Sequence, residues 1–139
     1  MKSRIYIVED HPSLRESIAG FLSHLPDTEV CGTAASAEDA LEHMAETQPD
    51  LALIDVSMPA MNGLDFLSEA KKRWPKLRCL MLTGHDEAAY AERAFSLGAQ
   101  GYVTKGDAGR LLEAIRKVLK GETYRPEPWD TPNGYRPGR

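Results

Sequence analysis

The chain has 139 residues and a net charge of −4, with 42% hydrophobic and 27% charged residues, the balance of one ordinary folded domain. No apolar run approaches the roughly 20 residues of a membrane helix, and Glu9 and Asp10 interrupt the first apolar run too early for a secretory signal peptide. We therefore expect a cytoplasmic protein without membrane contact. The lack of a basic stripe argues against DNA binding by these residues themselves.

Short apolar segments alternate with amphipathic segments along most of the chain. The apolar segments predict five strands, at residues 4–8, 29–33, 51–55, 78–82 and 100–103. The segments between them repeat apolar residues at helical spacing, as Leu14, Ile18 and Leu22 do after the first strand. This alternation predicts five helices, one after each strand.

Residues that favour helix ends mark the boundaries of these helices. Pro12 suits the first turn of helix one, and Ser36 suits the cap of helix two. Helices three and four are expected over about residues 63–73 and 87–97, and Asp107 is expected to cap helix five. Helix four has a thin apolar face made mostly of alanine, so we expect it to be the most loosely held.

Strands that alternate with helices predict an α/β fold with a parallel sheet covered on both faces. Right-handed crossovers favour a doubly wound, flavodoxin-like (βα)5 three-layer sandwich with strand order 2-1-3-4-5. We expect residues 1–121 to form this domain. Residues 122–139 contain four of the nine prolines and no apolar periodicity, which predicts a tail or linker.

Reactive side chains stand where the predicted strands end. Glu9 and Asp10 follow strand one, Asp55 ends strand three, Thr83 follows strand four, and Lys105 follows strand five. Because the carboxyl ends of parallel strands meet at one edge of the sheet, these groups should converge there. Three close carboxylates need a cation, and oxygen ligands favour Mg²⁺, with Mn²⁺ as a second possibility. A carboxylate beside a cation, a lysine and a hydroxyl is equipped to receive a phosphoryl group.

Four separated segments carry distinctive motifs at the ends of the predicted strands. They are Val8-Glu9-Asp10-His11-Pro12, Leu53-Ile54-Asp55-Val56-Ser57-Met58-Pro59 with Gly63, Leu82-Thr83-Gly84-His85, and Gly101-Tyr102-Val103-Thr104-Lys105. With these motifs the sequence resembles, over about residues 3–120, the receiver domain of two-component response regulators, and the last two motifs are similar to the NarL/FixJ subfamily.

The resemblance implies a role for each acidic residue. Asp55 is the expected phosphoacceptor and a Mg²⁺ ligand. Asp10 is expected to bind the metal directly, Glu9 to bind it through water, and Ser57 to bind it through its backbone carbonyl. Glu9 stands where Asp is commoner in the family, and we expect its longer side chain to change metal affinity without abolishing binding.

The resemblance also implies how a phosphoryl signal is read. Thr83 is expected to sense the phosphoryl group, Lys105 to pair with it, and Tyr102 to move inward and alter the face of helix four, strand five and helix five. Gly106 follows Lys105 where many receivers have proline after a cis bond, and we expect its backbone freedom to serve the same turn.

The implied function is a phosphorylation-activated switch that is not an enzyme beyond its own phosphotransfer and slow autodephosphorylation. The expected partners are a sensor histidine kinase or phosphotransfer protein and, on phosphorylation, a second copy of the chain. The expected output is transcription control through a C-terminal DNA-binding domain absent from this chain, and the alternative is a stand-alone regulator that acts by protein–protein contact.

Three other functions are compatible with such a sheet. A phosphatase of the haloacid-dehalogenase type would need a second acid where Ser57 stands. A flavodoxin-like redox carrier would need a phosphate-binding loop after strand one, where the chain has Asp10-His11-Pro12. A module that binds constitutively would not need the reactive site.

The two cysteines and four histidines show no metal-ligand spacing. Cys31 and Cys79 lie in strands two and four, where we expect small buried side chains too far apart to form a disulfide. His11 is expected to be a packed or solvated loop residue, and the role of His85 stays open between solvated residue and modulator of phosphoryl lifetime.

Overall fold

A five-stranded parallel sheet forms the centre of the computed structural model, which describes residues 2–56, 61–84, 88–106 and 108–125. The strand order is β2-β1-β3-β4-β5, which confirms the predicted doubly wound topology. The elements in chain order are β1 Ser3–Val8, α1 Pro12–Ser23, β2 Thr28–Ala34, α2 Ala37–Thr47, β3 Leu51–Asp55, α3 Gly63–Arg73, β4 Arg78–Thr83, α4 Ala88–Ser96, β5 Gly101–Thr104 and α5 Ala108–Leu119.

The helix ends follow the capping chemistry of the chain. The Ser36 hydroxyl accepts a hydrogen bond from the Asp39 amide at 3.2 Å, as predicted for helix two. Asn62 caps α3 in the same way, accepting from the Asp65 amide at 3.0 Å, a cap that was not predicted from the sequence. The predicted cap Asp107 lies outside the described residues.

The two faces of the sheet bury separate apolar layers. Side chains of alternate strand residues, such as Ile54 and Met81, pack against α2, α3 and α4. Their neighbours, such as Leu53 and Leu80, pack on the other face against α1 and α5. The central strands are apolar throughout because both faces are covered. Each such side chain contributes about 1.5–3 kcal/mol through burial.

Helix α4 has the thin apolar face that the sequence predicted. Ala91 and Ala94 are buried, Phe95 is partly buried, and Tyr90 is exposed. Small buried side chains remove little area from water, so α4 gains less from packing than its neighbours do. None of the helices that the structure describes is long and apolar enough to cross a membrane.

The two cysteines are free thiols in different surroundings. Cys79 is buried, and burial raises the pKa of its thiol to about 12. Cys31 is only half-buried, which corrects the expectation that both are buried, and its Sγ lies 3.5 Å from the Ile5 carbonyl oxygen. Burial raises the pKa of Cys31 as well.

The chain returns to the sheet after α5. Tyr124 forms a parallel bridge with Gly101, outside the five strands, and is buried. Its amide donates to the Gln100 carbonyl at 3.0 Å, and its carbonyl accepts from the Tyr102 amide at 3.2 Å. The first residues of the segment predicted as a tail or linker therefore pair with β5.

Candidate functional site

The strand register brings the predicted residues to one edge of the sheet. Val8 pairs with Ile54, so Glu9 and Asp55 follow at the ends of adjacent strands. Asp55 pairs with Leu82, and Thr83 pairs with Thr104, the residue before Lys105. The parallel topology therefore gathers residues from β1, β3, β4 and β5, as the sequence predicted.

Lys105 connects two carboxylates that the fold buries completely. Its Nζ lies 3.1 Å from Asp55 Oδ1 and 3.2 Å from Glu9 Oε1, and both carboxylates are 0% exposed. Burial alone would lower the pKa of Lys105, but the hydrogen bonds and negative charges of Asp55 and Glu9 outweigh that effect and raise it. Lys105 is therefore firmly protonated and offsets the repulsion between the two acids.

Glu9 is held in place by its backbone and by the next turn of chain. Its amide donates to the Ala34 carbonyl at 3.0 Å, and its carbonyl accepts from Arg15 Nη1 at 2.9 Å. Burial raises the pKa of the Glu9 carboxyl, and the charge of Asp55 raises it further, although hydrogen bonds from His11 and the charge of Lys105 oppose the rise. Glu9 is thus a carboxylate whose charge is costly without more positive charge nearby.

Asp10 and His11 extend the acidic cluster at the start of α1. His11 Nδ1 lies 3.1 Å from Glu9 Oε2 and 3.3 Å from Asp10 Oδ1, and the His11 amide donates to Glu9 Oε2 at 3.1 Å. The side chain of His11 is 67% exposed, as expected of a loop residue. It nevertheless contacts both acids, and these contacts were not predicted from the sequence.

The donor atoms of this cluster fit a hard divalent cation. One potential ligand atom from each of Glu9, Asp10, His11 and Asp55 lies within 4.8 Å of the others. Oε1 of Glu9 and Oδ1 of Asp10 are buried, and their contacts with Lys105 Nζ at 3.2 Å and His11 Nδ1 at 3.3 Å lack hydrogen-bond geometry. Buried carboxylate oxygens that still have free lone pairs are the ligands that Mg²⁺ prefers.

Thr83 and Tyr102 connect the acidic site to β5 and α4. Both are buried, Thr83 at the end of β4 and Tyr102 in the middle of β5. The Lys105 amide donates to the Thr83 carbonyl at 2.7 Å, which ties the lysine to β4. The Tyr102 ring belongs to the apolar layer that holds Ala91 and Ala94 of α4.

Two glycines shape the backbone around the site. A Cβ at Gly63, the first residue of α3, would clash with the Asp55 carbonyl oxygen, so only glycine allows this approach. Gly106 has φ +94°, which serves the turn after Lys105 through backbone freedom, and no described peptide bond is cis. The structure places both where they fix residues of the site.

The structure thus brings together Glu9, Asp10, Asp55 and Lys105, and it buries Thr83 and Tyr102 beside them in the sheet. Two residues considered from the sequence, Ser57 and His85, lie outside the described residues. The metal role of the Ser57 carbonyl and the role of His85 remain predictions.

Comparisons with known proteins agree with this geometry. Residues 5–116 match the family described as response regulator receiver domain, and the chain belongs to that family. It is 34% identical over 124 residues to the transcriptional regulatory protein DegU of Brevibacillus brevis, and the match covers 88% of this chain and 52% of that protein. It is 36% identical over 129 residues to the response regulator protein VraR of Staphylococcus epidermidis, covering 91% of this chain and 62% of that protein.

The fold also matches solved structures. The two-component response regulator of the LuxR family from Aurantimonas sp. SI85-9A1 superposes with a TM-score of 0.85 at 33% identity, covering 89% of each chain. The present chain spans little more than half the length of DegU and less than two thirds of VraR. It is therefore a receiver domain of the response regulator type, similar to those of LuxR-family regulators.

Proposed function

We propose that this receiver is a phosphorylation-activated switch in which Asp55 accepts a phosphoryl group from a phosphohistidine of a sensor kinase or phosphotransfer protein. The observation that carries the proposal is the position of Lys105 Nζ, 3.1 Å from Asp55 Oδ1 and 3.2 Å from Glu9 Oε1, beside a cluster of metal-ligand atoms. A nucleophilic carboxylate, a cation site and a fixed ammonium are the parts that phosphoryl transfer requires.

The chain's own residues provide attack and charge neutralisation. An oxygen of Asp55 forms a bond to phosphorus as the phosphorus–nitrogen bond of the donor breaks, and the electron pair stays on the imidazole nitrogen, which takes a proton. Lys105 then pairs with an oxygen of the transferred group in place of the Asp55 oxygen that it contacts in this structure. The hydroxyl of Thr83, at the end of β4, donates a hydrogen bond to another oxygen of that group.

Mg²⁺ would be held by Asp10 and Asp55 directly and by Glu9 through water, and the Ser57 carbonyl completes the proposed protein ligands. When bound, the cation neutralises charge on the phosphoryl oxygens. The same site supports slow autodephosphorylation, and it provides no other catalytic activity in this proposal.

The switch runs from Thr83 to Tyr102 and then to the face formed by α4, β5 and α5. Thr83 and Tyr102 are buried on adjacent strands, so a shift of Thr83 toward a phosphoryl group opens space next to β5. Tyr102 packs in the layer that contains the small α4 side chains Ala91 and Ala94. The fully buried side chains of α4 that the structure describes are the small ones of Ala91 and Ala94, which suits a movable part.

The proposed output is transcription control by a DNA-binding domain that follows the receiver, in a cytoplasmic protein that forms a homodimer on phosphorylation. Support comes from the relatives. One of them is a transcriptional regulatory protein, and the match to this chain covers only part of the length of each. The alternative is a regulator that acts through protein–protein contact alone.

The test is incubation with acetyl phosphate and Mg²⁺, followed by intact mass. One added phosphoryl group is expected for the wild type, and none for Asp55→Asn or for protein in EDTA. Asp65→Asn is the matched control, because Asp65 is an exposed aspartate in the first turn of α3 and should leave the adduct unchanged.

Each other outcome has a defined meaning. An adduct that persists in Asp55→Asn contradicts the assignment of the acceptor. Inorganic phosphate released far in excess of the protein supports the phosphatase alternative. If neither adduct nor turnover is seen, a phosphorylated kinase replaces acetyl phosphate, and failure there as well leaves a module that binds without phosphorylation.

A further inference from the structure

Residues 122–125, which we call the edge segment, lie along the free edge of β5, where Tyr124 forms an isolated parallel bridge with Gly101. The chain turns back at Gly121, where φ is +93°, and the Glu122 amide donates to the Lys117 carbonyl at 3.0 Å. The Tyr124 amide then donates to the Gln100 carbonyl at 3.0 Å. The edge segment thus forms hydrogen bonds with backbone groups of β5 and its neighbouring residue, which would be exposed to solvent at a free sheet edge.

The edge segment reaches both helices that flank β5. Tyr124 lies in the apolar layer with Leu80 and Val118 of the α5 side. A Cβ at Gly101 would lie 3.5 Å from the Tyr124 Cβ and 2.5 Å from Leu80 Cδ1, so the absence of a side chain at Gly101 permits this close packing. The edge segment is therefore anchored on the α5 side by a buried aromatic ring.

Arg125 connects the edge segment to α4. Its guanidinium carbon lies 4.0 Å from the centroid of the Phe95 ring, and Nη1 lies 3.9 Å from Glu92 Oε2. Both partners are residues of α4. A guanidinium over an aromatic ring is an attractive contact, and α4 offers few large apolar side chains of its own to hold it to the sheet. Arg125 therefore adds to the attachment of α4.

Tyr102 links the edge segment to the proposed switch. Its ring packs in the layer with Ala91 and Ala94, whereas its amide donates to the Tyr124 carbonyl at 3.2 Å. One residue therefore contacts the α4 layer with its side chain and the edge segment with its backbone. A displacement of β5 or α4 must alter the contacts of the edge segment.

The contacts of the edge segment belong to the arrangement in which Lys105 binds the Asp55 carboxylate directly, at 3.1 Å. A phosphoryl group on Asp55 would have to enter between these two side chains. The docked edge segment thus belongs to the unphosphorylated arrangement. A change that favours another position of α4 therefore weakens the docking of the edge segment.

We propose that the edge segment clamps α4 against β5, and that phosphorylation of Asp55 weakens its docking, so that the state of the site reaches the chain beyond Arg125. The second half rests on the proposed function. Because coupling between two sites is reciprocal, loosening the edge segment must in turn favour the phosphorylated state.

The clamp can be tested without phosphorylation, by amide hydrogen exchange on the full chain. The informative amides are those of Leu97 and Ala99, which lie just after α4 and donate to the carbonyls of its residues Arg93 and Ala94, and we call them the α4 amides. Arg125→Ala should make them exchange about threefold faster or more, because α4 opens more often. Arg125→Lys keeps a cation over the ring and should restore most of the protection.

Arg116→Ala provides the matched control, since Arg116 is a half-exposed arginine of α5 with a comparably long ion pair, 3.7 Å to Asp27. It should leave exchange of the α4 amides unchanged. Equal exchange in Arg125→Ala and wild type, or equal acceleration by Arg116→Ala, overturns the clamp.

The coupling is tested with acetyl phosphate and Mg²⁺, with intact mass recorded on the same samples. The amides of Tyr102 and Tyr124 should exchange about threefold faster in phosphorylated wild type and stay unchanged in Asp55→Asn. The Gln100 amide, which donates to the Cys79 carbonyl of β4, serves as the internal reference. Arg125→Ala should reach a higher steady-state phosphoryl occupancy than wild type, with Arg125→Lys close to wild type.

Unchanged or slower exchange at Tyr102 and Tyr124, with the adduct present by mass, overturns the coupling and leaves the phosphorylation proposal intact. The absence of any adduct removes the proposed function and the coupling together. The exchange of the α4 amides then decides the clamp alone.

Discussion

Nζ of Lys105 lies 3.1 Å from Oδ1 of Asp55, inside the sheet edge where both Asp55 and Glu9 are inaccessible to solvent. One ammonium thus sits between two buried carboxylates that would otherwise repel each other. Lys105 therefore has a structural role in the resting domain in addition to its proposed contact with a phosphoryl group.

Lys105→Met should destabilise the domain mainly when metal is absent. Removing the ammonium leaves Glu9 and Asp55 buried without their positive partner, and we expect unfolding in EDTA to become about 2 kcal/mol less costly. Saturating Mg²⁺ should recover about half of that loss, because the cation binds only the folded cluster. Urea unfolding in both conditions measures the difference.

The control for this change is Lys120→Met, which removes an exposed lysine after α5 and should alter stability by less than about 0.5 kcal/mol. If Lys105→Met costs the same with Mg²⁺ as with EDTA, then the lysine and the metal do not neutralise the same carboxylates.

Gly63→Ala should displace Asp55. The added Cβ would clash with the Asp55 carbonyl oxygen and would lie 2.7 Å from the Val56 Cα, and these backbone atoms cannot rotate away. We expect a loss of about 2 kcal/mol or more in the free energy of unfolding, together with slower phosphorylation by acetyl phosphate. Thermal unfolding and the rate of adduct formation report the two effects.

Gly20→Ala is the matched control, because Gly20 lies within α1 and a Cβ there meets nothing within 4 Å. It should stabilise the domain by up to about 1 kcal/mol, since alanine favours a helix over glycine, and it should leave phosphorylation unchanged. Similar losses in the two variants would mean that the contact with Asp55 is not what makes Gly63 necessary.

The position of the site was predictable because it depends on topology alone. Glu9, Asp55 and Lys105 each stand just where an apolar strand ends, and parallel strands bring those ends together whatever the details of packing. The helix starts at Pro12 and after Ser36 followed from local chemistry in the same way. Predicting these features requires only the order of the elements and the few residues nearest in sequence.

Other features of the structure depend on three-dimensional contacts that the hydrophobic periodicity of the sequence does not encode. Tyr124 is a single aromatic residue just before a proline-rich stretch, and its docking requires the missing side chain at Gly101 on another strand. The contacts of His11 with two acids depend on the direction of the chain at the start of α1. The Asn62 cap was missed although its position before Gly63 offered a local signal.

Gly106→Ala should impair phosphotransfer more than it impairs folding. Gly106 has φ +94°, and a methyl group there would meet nothing within 4 Å, so the cost is backbone strain of about 1–2 kcal/mol. Relief of that strain moves the neighbouring Lys105, and phosphorylation should slow several-fold. Gly121→Ala is the control, because Gly121 has φ +93° and equally open surroundings. It should lose similar stability without any slowing of phosphorylation, and equal slowing in both variants contradicts the role of Gly106.

Stability in EDTA should depend on pH through Glu9. Its pKa in the folded state is raised above the ordinary 4.5, so between the two values the folded chain binds more protons than the unfolded chain. The free energy of unfolding therefore falls as pH rises from 4.5 through the raised pKa, by at most about 1.4 kcal/mol per pH unit for one proton.

Glu9→Gln should remove this loss, so the stability of the variant minus that of wild type should rise with pH over the same range. Both proteins should carry His11→Gln, since His11 Nδ1 contacts Glu9 Oε2 directly. Because Glu9 and Asp55 repel each other, the measured slope belongs to the pair. Urea unfolding from pH 4.5 to neutrality gives the difference. A difference that is flat or falls with pH would mean that Lys105 already compensates the buried charge of Glu9 in full.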